Sequence, residues 1–146
     1  KSTFNKYTDL LLYMSARSEN IDLIKKNLGK KIILIDRFID STIAYQHFGM
    51  GVDIKFIRIL NNFLLKKIKI NFTFLNLVNQ KNMHKRLLKR KKLNRYDKFK
   101  SGFYAKAQQG FLKILKKNPK NYMKINSNLS IIDNKKIILD KIDRLI

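Results

Sequence analysis

Residues 32–46 read Ile-Ile-Leu-Ile-Asp-Arg-Phe-Ile-Asp-Ser-Thr-Ile-Ala-Tyr-Gln. The first four form an uninterrupted apolar run rich in β-branched side chains, which is typical of a strand buried on both faces of a parallel sheet. Asp36 and Arg37 follow this expected strand directly. Because ligands of open α/β sheets bind beyond the carboxyl ends of the strands, the charged pair lies where chemistry is usually placed. The alternative is a solvated ion pair that only ends the strand.

The segment before this strand predicts a helix from about Lys6 to Leu28, with Gly29 as the residue that ends it. Tyr13 and Arg17 lie four residues apart, so their side chains share one face of that helix. Apolar residues recur at helical spacing, and Arg17 falls on their stripe. The residues expected on this buried stripe are Leu10, Met14, Ile21, Ile24 and Leu28.

The segment after the strand predicts a short helix from Asp40 to His47 and a longer one capped by Asp53. Two further strands are expected at Phe72 to Val78 and at Tyr122 to Asn126, followed by a closing helix. This alternation of helices and strands predicts a single α/β domain. On the helix that Asp53 caps, the residues expected to be buried are Phe56, Ile57, Leu60, Phe63 and Leu64. On the closing helix they are Ile138, Ile142 and Leu145.

The composition limits the classes of protein that the chain can represent. It has 146 residues, a formal net charge of +23 and no cysteine, which excludes disulfides and Cys-based metal sites. No apolar stretch approaches the roughly 18 residues of a membrane span, so we expect no membrane partner. The lysines are spread over every element, which is typical of solvated faces. We therefore do not expect nucleic acid to be the main partner.

Three stretches resemble the thymidylate kinase family in sequence and order. Residues 36–46 read Asp-Arg-aromatic, then Ser-Thr, then Ala-Tyr-Gln, and resemble the family's segment, which begins with Asp-Arg-Tyr or Asp-Arg-His. Leu-Leu-Tyr-Met-Ser-Ala-Arg at 11–17 is similar to Leu-Leu-Phe/Tyr-x-Ala-x-Arg. The basic segment at about 86–98 ends in Asn-Arg-Tyr-Asp, similar to Asp-Arg-x-Glu, and Phe, Ala and Gly-Phe follow at the family's intervals. The positions that depart from the family pattern are Phe38, Leu77, Asn94 and Asp97.

The resemblance implies a P-loop NTPase-like, nucleoside monophosphate kinase fold, in which helices flank a parallel sheet. It covers residues 1–146 as the C-terminal two-thirds of the family's domain, with a basic lid at about 86–98. The first strand and the P-loop are then missing, and Lys1-Ser2-Thr3 is expected to be loop, because glycines that cradle phosphate do not precede it. We therefore expect a P-loop to be encoded upstream, and the fragment alone to be inactive.

The resemblance also implies a binding site for dTMP. Tyr13 would stack on thymine, and Arg17 would donate a hydrogen bond to a thymine carbonyl. Arg37 would bind the monophosphate through its guanidinium fork. Tyr45 would border the deoxyribose and reject a 2′-hydroxyl. The weaker candidates for base contacts are Thr42 and Gln46.

ATP and Mg²⁺ are the implied donor and cofactor. Arg86 matches a position that lies against adenine, while Arg90 and Arg95 would neutralise the phosphates during transfer. Asp97 would be the lid carboxylate. Asp36 would arrange magnesium and water, so that the expected catalytic residues are Asp36, Arg37, Arg90 and Arg95. The resemblance further implies a cytoplasmic homodimer, built partly on the first helix of this chain.

Three other interpretations stay open. A deoxynucleoside kinase also has Asp-Arg after a strand and an arginine-rich lid, but it would show Glu-Arg-Ser before that strand. This chain has Ala16-Arg17-Ser18. A basic nucleic-acid-binding domain is the non-enzymatic alternative. A degenerate, non-catalytic fragment is the third.

Overall fold

The computed structural model describes residues 5–66 and 68–146, so the expected loop at Lys1-Ser2-Thr3 lies outside the described residues. The chain divides into two compact units. The first takes the described residues up to Ile70 together with Phe99–Ile114, and the second takes Asn71–Lys98 and Leu115–Ile146. Within the described residues, no helix is long and apolar enough to cross a membrane.

The first unit begins with helix α1, Lys6–Asn27, which confirms the predicted helix. The side chain of Asn5 caps it by accepting from the Tyr7 N–H. Gly29 follows with a φ of +74°, the left-handed conformation that glycine adopts without strain at helix ends. The predicted stripe is buried at Leu10, Met14, Arg17, Ile21 and Ile24. The expected burial of Leu28 is wrong: it is exposed, because the helix has already ended at Asn27.

Three helical elements follow in the same unit: α2 at Ile39–Thr42, a π-helix at Ile43–Gly49 and α3 at Ile54–Leu65. Asp53 caps α3 as predicted, since its carboxylate accepts from the Lys55 N–H at 2.7 Å. Buried residues of α1 and α3 form the core together with Val52, the residue before the capping Asp53. The core consists of Leu10, Met14, Val52 and Ile57, with Ile43, Leu60 and Leu64 packed against it.

The expected burial of Phe56 and Phe63 is wrong, since Phe63 leaves 70% of its surface exposed and Phe56 is also exposed. Residues 57, 60 and 64 make the stripe that packs on the core, and residues 56, 59 and 63 make the next stripe round the helix. Both stripes are apolar. The sequence pattern of α3 therefore cannot tell which of the two the core covers.

The predicted strand at residues 32–35 is also wrong. This segment has no regular secondary structure, and Leu34 exposes 81% of its surface. A strand needs a neighbour for its backbone N–H and C=O groups. Across residues 5–66 and 68–146 the sheet has two strands, which pair with each other, and residues 32–35 pair with neither of them.

The second unit contains that sheet. Strands β1, Thr73–Leu77, and β2, Tyr122–Asn126, run parallel with Thr73 opposite Tyr122 and Leu77 opposite Asn126. Both strands were predicted, and Leu75, Leu77 and Ile125 are buried. Parallel strands need a long crossover, and helices supply it here. The remaining elements are α4 at Gln80–Leu88, 3₁₀ turns at Tyr96–Lys98 and Pro119–Asn121, α5 at Ser101–Lys117 and α6 at Ile131–Ile142.

The closing helix α6 is confirmed, with Ile138 and Ile142 partly buried. The expected burial of Leu145 is wrong, because α6 ends at Ile142 and Leu145 is exposed beyond it. The described part of the chain is thus rich in helix with a parallel sheet, which agrees with the predicted α/β class.

Two glycines allow close packing between the π-helix and the part of α5 that belongs to the first unit. A Cβ on Gly49 would lie 2.5 Å from Cε2 of Phe103, and a Cβ on Gly110 would lie 2.5 Å from Cδ2 of Phe48. Both rings therefore occupy space that any other residue would need at these positions. This packing holds the π-helix and its side chains against α5.

Gly110→Ala should lower the free energy of unfolding by about 1–3 kcal/mol, because the added methyl group overpacks against Phe48. Gly102→Ala is the matched control in the same helix, since a Cβ on Gly102 would meet nothing within 4 Å. Alanine favours helix over glycine by up to about 1 kcal/mol, so the control should be neutral or stabilising. Urea unfolding measures both variants, and equal stabilities would contradict the close packing.

Candidate functional site

The turn after residues 32–35 holds Arg37 in a strained backbone conformation. Its φ is +59°, in the left-handed region that residues with a side chain rarely adopt. Such conformations cost of order 1–3 kcal/mol and cluster at binding and active sites. The turn therefore fixes the direction in which the Arg37 side chain leaves the backbone. Nothing in the local sequence reveals this conformation.

Predicted site residues gather around the Arg37 guanidinium. Its Cζ lies 5.3 Å from the centre of the Tyr45 ring. Burial by itself opposes the charge, but a hydrogen bond and electrostatic interaction with Tyr45, together with Asp36 and Tyr13, raise the pKa of Arg37 above its ordinary value. Arg37 is therefore a permanent cation over the Tyr45 ring, with Tyr13 and Asp36 acting on it electrostatically. Tyr13 exposes 43% of its surface and so can contact a ligand.

The π-helix positions Tyr45. The structure divides the predicted short helix Asp40 to His47 between α2 and this π-helix, a rare form that occurs often at functional sites. The Tyr45 ring lies 5.7 Å from the Phe103 ring and 6.1 Å from the Phe111 ring, centre to centre. The Tyr45 ring is thus held in place by two aromatic rings of α5.

Arg17 is a buried cation of the first unit, with 7% of its surface exposed. Its Nη2 donates to the Phe38 carbonyl at 3.1 Å and to Thr42 Oγ1 at 2.7 Å. Its Nη1 donates to Asn61 Oδ1 at 3.3 Å and lies 3.6 Å from Met14 Sδ. Arg17 thereby joins α1, α2 and α3.

Burial lowers the pKa of Arg17, and the negative charge of Asp40 partly opposes that shift. The hydrogen-bond partners of Arg17 given above are all neutral. Asp40 is the carboxylate whose charge acts on Arg17, and the guanidinium N–H groups can donate to a carbonyl oxygen that comes near.

Thr42 and Gln46, the weaker candidates, are both buried. Thr42 accepts from Arg17, whereas Gln46 Nε2 donates to Asp9 Oδ2 at 2.8 Å. Sequence reasoning missed the buried Asp9. An aspartate in the first turn of a helix is ordinary, because it interacts with the helix dipole there, so its sequence position carries no sign of the partner.

The predicted lid lies in the second unit and is ordered by one carboxylate. Arg90 Nη1 donates to both oxygens of Asp97 at 2.9 and 2.8 Å. The Asp97 side chain is 6% exposed and that of Arg90 53%. Asn94 and Asp97 also exchange hydrogen bonds, each from its backbone N–H to the other's side chain at 3.0 Å. Two of the four positions that depart from the family pattern, Asn94 and Asp97, thus hydrogen-bond to each other.

The other two lid arginines have separate surroundings. Arg86 Nη2 donates to the carbonyl of Ser127, directly after β2. Arg95 lies over the Tyr96 ring, with 4.9 Å from its Cζ to the ring centre. The carboxyl ends of parallel strands are where ligands of such sheets bind, so Arg86 is held at a favourable place for a nucleotide.

The described residues could supply only a small number of protein ligands to a magnesium ion. Residues 5–66 and 68–146 contain no group of three or more His, Cys, Asp or Glu side chains that could hold a metal ion. Mg²⁺ in nucleotide sites keeps several waters and binds one or two carboxylates plus substrate phosphates. Asp36 is exposed beside Arg37, so it fits a water-mediated contact to such an ion.

Comparisons with known proteins agree on one family. A family model described as thymidylate kinase matches residues 1–138. Thymidylate kinase of Staphylococcus epidermidis is 32% identical over 127 residues, which cover 85% of this chain and 63% of that protein. Thymidylate kinase of Sulfurihydrogenibium sp. is 35% identical over 141 residues, which cover 95% and 68%. The chain thus spans less than two-thirds of the length of the first of these relatives.

A solved structure gives the same result for the fold. The crystal structure of thymidylate kinase from Ehrlichia chaffeensis superposes with a TM-score of 0.70 at 29% identity, over 100% of this chain and 70% of that one. This similarity confirms the predicted P-loop NTPase-like fold class.

Proposed function

This chain belongs to the thymidylate kinase family, and from that membership we propose that the protein transfers a phosphoryl group from ATP to dTMP, giving dTDP. One observation carries the proposal. Arg37, an obligatory cation on a strained turn, has Tyr45, Tyr13 and Asp36 around it. A cation over one aromatic ring, with a second phenol and a carboxylate acting on it electrostatically, suits a nucleotide that presents both a base and a phosphate.

In the first unit we assign the contacts to dTMP. The Arg37 guanidinium binds the phosphate, because its planar fork matches two phosphate oxygens. Tyr13, which is partly exposed, stacks on the thymine ring. Tyr45 borders the sugar, while Arg17 and Thr42 face the base. Gln46 is bound to Asp9, so we assign it a supporting position.

In the second unit we assign contacts to ATP. Arg86 lies against adenine next to the segment that follows β2. Arg90 and Arg95 cancel phosphate charge, and Asp97 orders the lid by binding Arg90. In the first unit, Asp36 would hold a magnesium ion through water, and such an ion would supply positive charge to the phosphates. The 146 residues contain no Gly-x-x-x-x-Gly-Lys-Ser/Thr motif, so we propose that they do not turn over dTMP alone.

An apolar surface supports a homodimer. Tyr7 and Leu11 on α1 and Phe56, Ile59 and Phe63 on α3 are exposed, and the rings of Tyr7 and Phe56 lie 6.2 Å apart. Contiguous apolar patches of this kind mark protein–protein interfaces. We propose that two copies associate through this surface in the cytoplasm, where dTMP and ATP are available. Sedimentation equilibrium of the full-length protein measures the mass directly.

The experiment that tests the function is an acceptor comparison with the full-length protein, ATP and magnesium. We expect kcat/KM for dTMP to exceed that for thymidine by at least about tenfold, because a charge-assisted phosphate contact contributes about 1.5–3 kcal/mol. Better use of thymidine would instead identify a deoxynucleoside kinase. Binding to any DNA duplex with a steep salt dependence and no nucleotide preference would favour the nucleic-acid-binding alternative.

A further inference from the structure

Asn61 is a buried polar residue to which the proposed reaction assigns no role. It lies on α3 with 5% of its surface exposed, and its Oδ1 accepts from Arg17 Nη1 at 3.3 Å. The other edge of the Arg17 guanidinium donates to the Phe38 carbonyl and to the Thr42 hydroxyl. Asn61 is therefore the oxygen partner that holds Arg17 from the α3 side.

The acceptors differ in what they can do when a ligand approaches. The Thr42 hydroxyl can rotate and either donate or accept, so it can release the N–H of Arg17 to a ligand oxygen. The amide oxygen of Asn61 can only accept. Asn61 also lies one helical turn after the fully buried Ile57, so the core keeps it in place.

We propose that Asn61 is a positioning residue for the choice of base: it holds one edge of Arg17 so that the other edge meets a base carbonyl. This inference rests on the proposed function and adds a residue to its base selection. A guanidinium N–H group donates to a carbonyl oxygen, whereas an amino group offers it another donor instead of an acceptor. A nucleotide with a carbonyl at that place, dTMP, is thereby favoured over one with an amine, dCMP.

At position 61, a neutral amide leaves more of the positive charge of Arg17 available to a ligand carbonyl than a carboxylate would. A carboxylate would pair with the guanidinium and weaken its pull on a ligand carbonyl. An apolar side chain would leave Nη1 without its oxygen acceptor in a buried place and allow the guanidinium to turn.

The test measures kcat/KM for dTMP and for dCMP with the full-length protein and its variants. Asn61→Leu keeps the branching and the number of side-chain heavy atoms, and it should reduce the dTMP-to-dCMP ratio by about tenfold, the equivalent of one lost hydrogen bond of about 1.4 kcal/mol. Asn61→Asp keeps an acceptor oxygen in place but adds a charge that weakens the pull of Arg17 on a ligand carbonyl, so the ratio should fall by less than it does in Asn61→Leu. Asn62→Leu is the matched control on the exposed side of the same helix and should leave the ratio unchanged.

The outcomes separate this inference from the proposed function. If the unsubstituted protein uses dTMP, but Asn61→Leu slows both substrates equally and lowers the melting temperature, Asn61 is a packing residue and the inference is wrong. A ratio that Asn61→Leu leaves unchanged overturns it as well. If the unsubstituted protein does not phosphorylate dTMP, the proposed function itself fails, and this inference with it.

Discussion

Arg37→Ala should lower kcat/KM for dTMP by tens to several hundred-fold in the full-length protein, about 2–4 kcal/mol of transition-state stabilisation. The variant removes a bidentate, charge-assisted contact to the phosphate that receives the phosphoryl group. KM for ATP should change by less than about threefold, because the contact is to the acceptor. Steady-state kinetics with each substrate varied in turn measures both effects.

Three further variants separate the side chain of Arg37 from its backbone. Glycine adopts a φ of +59° without strain, so Arg37→Gly should be about 0.5–1 kcal/mol more stable than Arg37→Ala and equally poor with dTMP. Arg37→Lys keeps the charge but not the fork, so it should lose less activity than alanine. Arg58→Ala, an exposed arginine of α3, should be silent. An effect confined to the KM for ATP would place Arg37 on the donor side.

Arg17→Ala should lower the free energy of unfolding by about 2–4 kcal/mol, an unusually large effect for a polar residue. It leaves buried acceptors on Phe38, Thr42 and Asn61 without their donor, at about 1–3 kcal/mol for each that water cannot reach. The loss is smaller than the sum, because a buried charge is removed at the same time. Urea unfolding measures it, with Arg58→Ala as the exposed control.

The same variant should affect the choice of base. Without Arg17, a thymine carbonyl loses its donor, so dTMP should lose about 1–3 kcal/mol of binding and more than a base analogue that lacks the carbonyl. Equal losses for the two substrates would reduce Arg17 to a residue that only joins the helices. Unchanged stability would show that water replaces its hydrogen bonds.

Elements and motifs that depend on neighbours in the chain follow from the sequence alone. Helix α1 and its buried stripe, the Asp53 cap and both strands of the sheet were predicted from periodicity and capping rules. The family was recognisable because its motifs are short and contiguous. Tyr13, Arg37 and Tyr45 were named as site residues from these motifs, and the structure brings them together.

Only the tertiary structure decided which apolar face of α3 the core covers, and that residues 32–35 have no paired strand. It also decided the left-handed turn at Arg37, the partner of Gln46 and the acceptors around Arg17. Each depends on groups that are distant in sequence: Asn61 is 44 residues from Arg17, and Asp9 is 37 from Gln46. Periodicity shows on which face of its helix a residue lies. The hydrogen-bond partners of a buried polar group come from other elements of the fold, so the local sequence does not identify them.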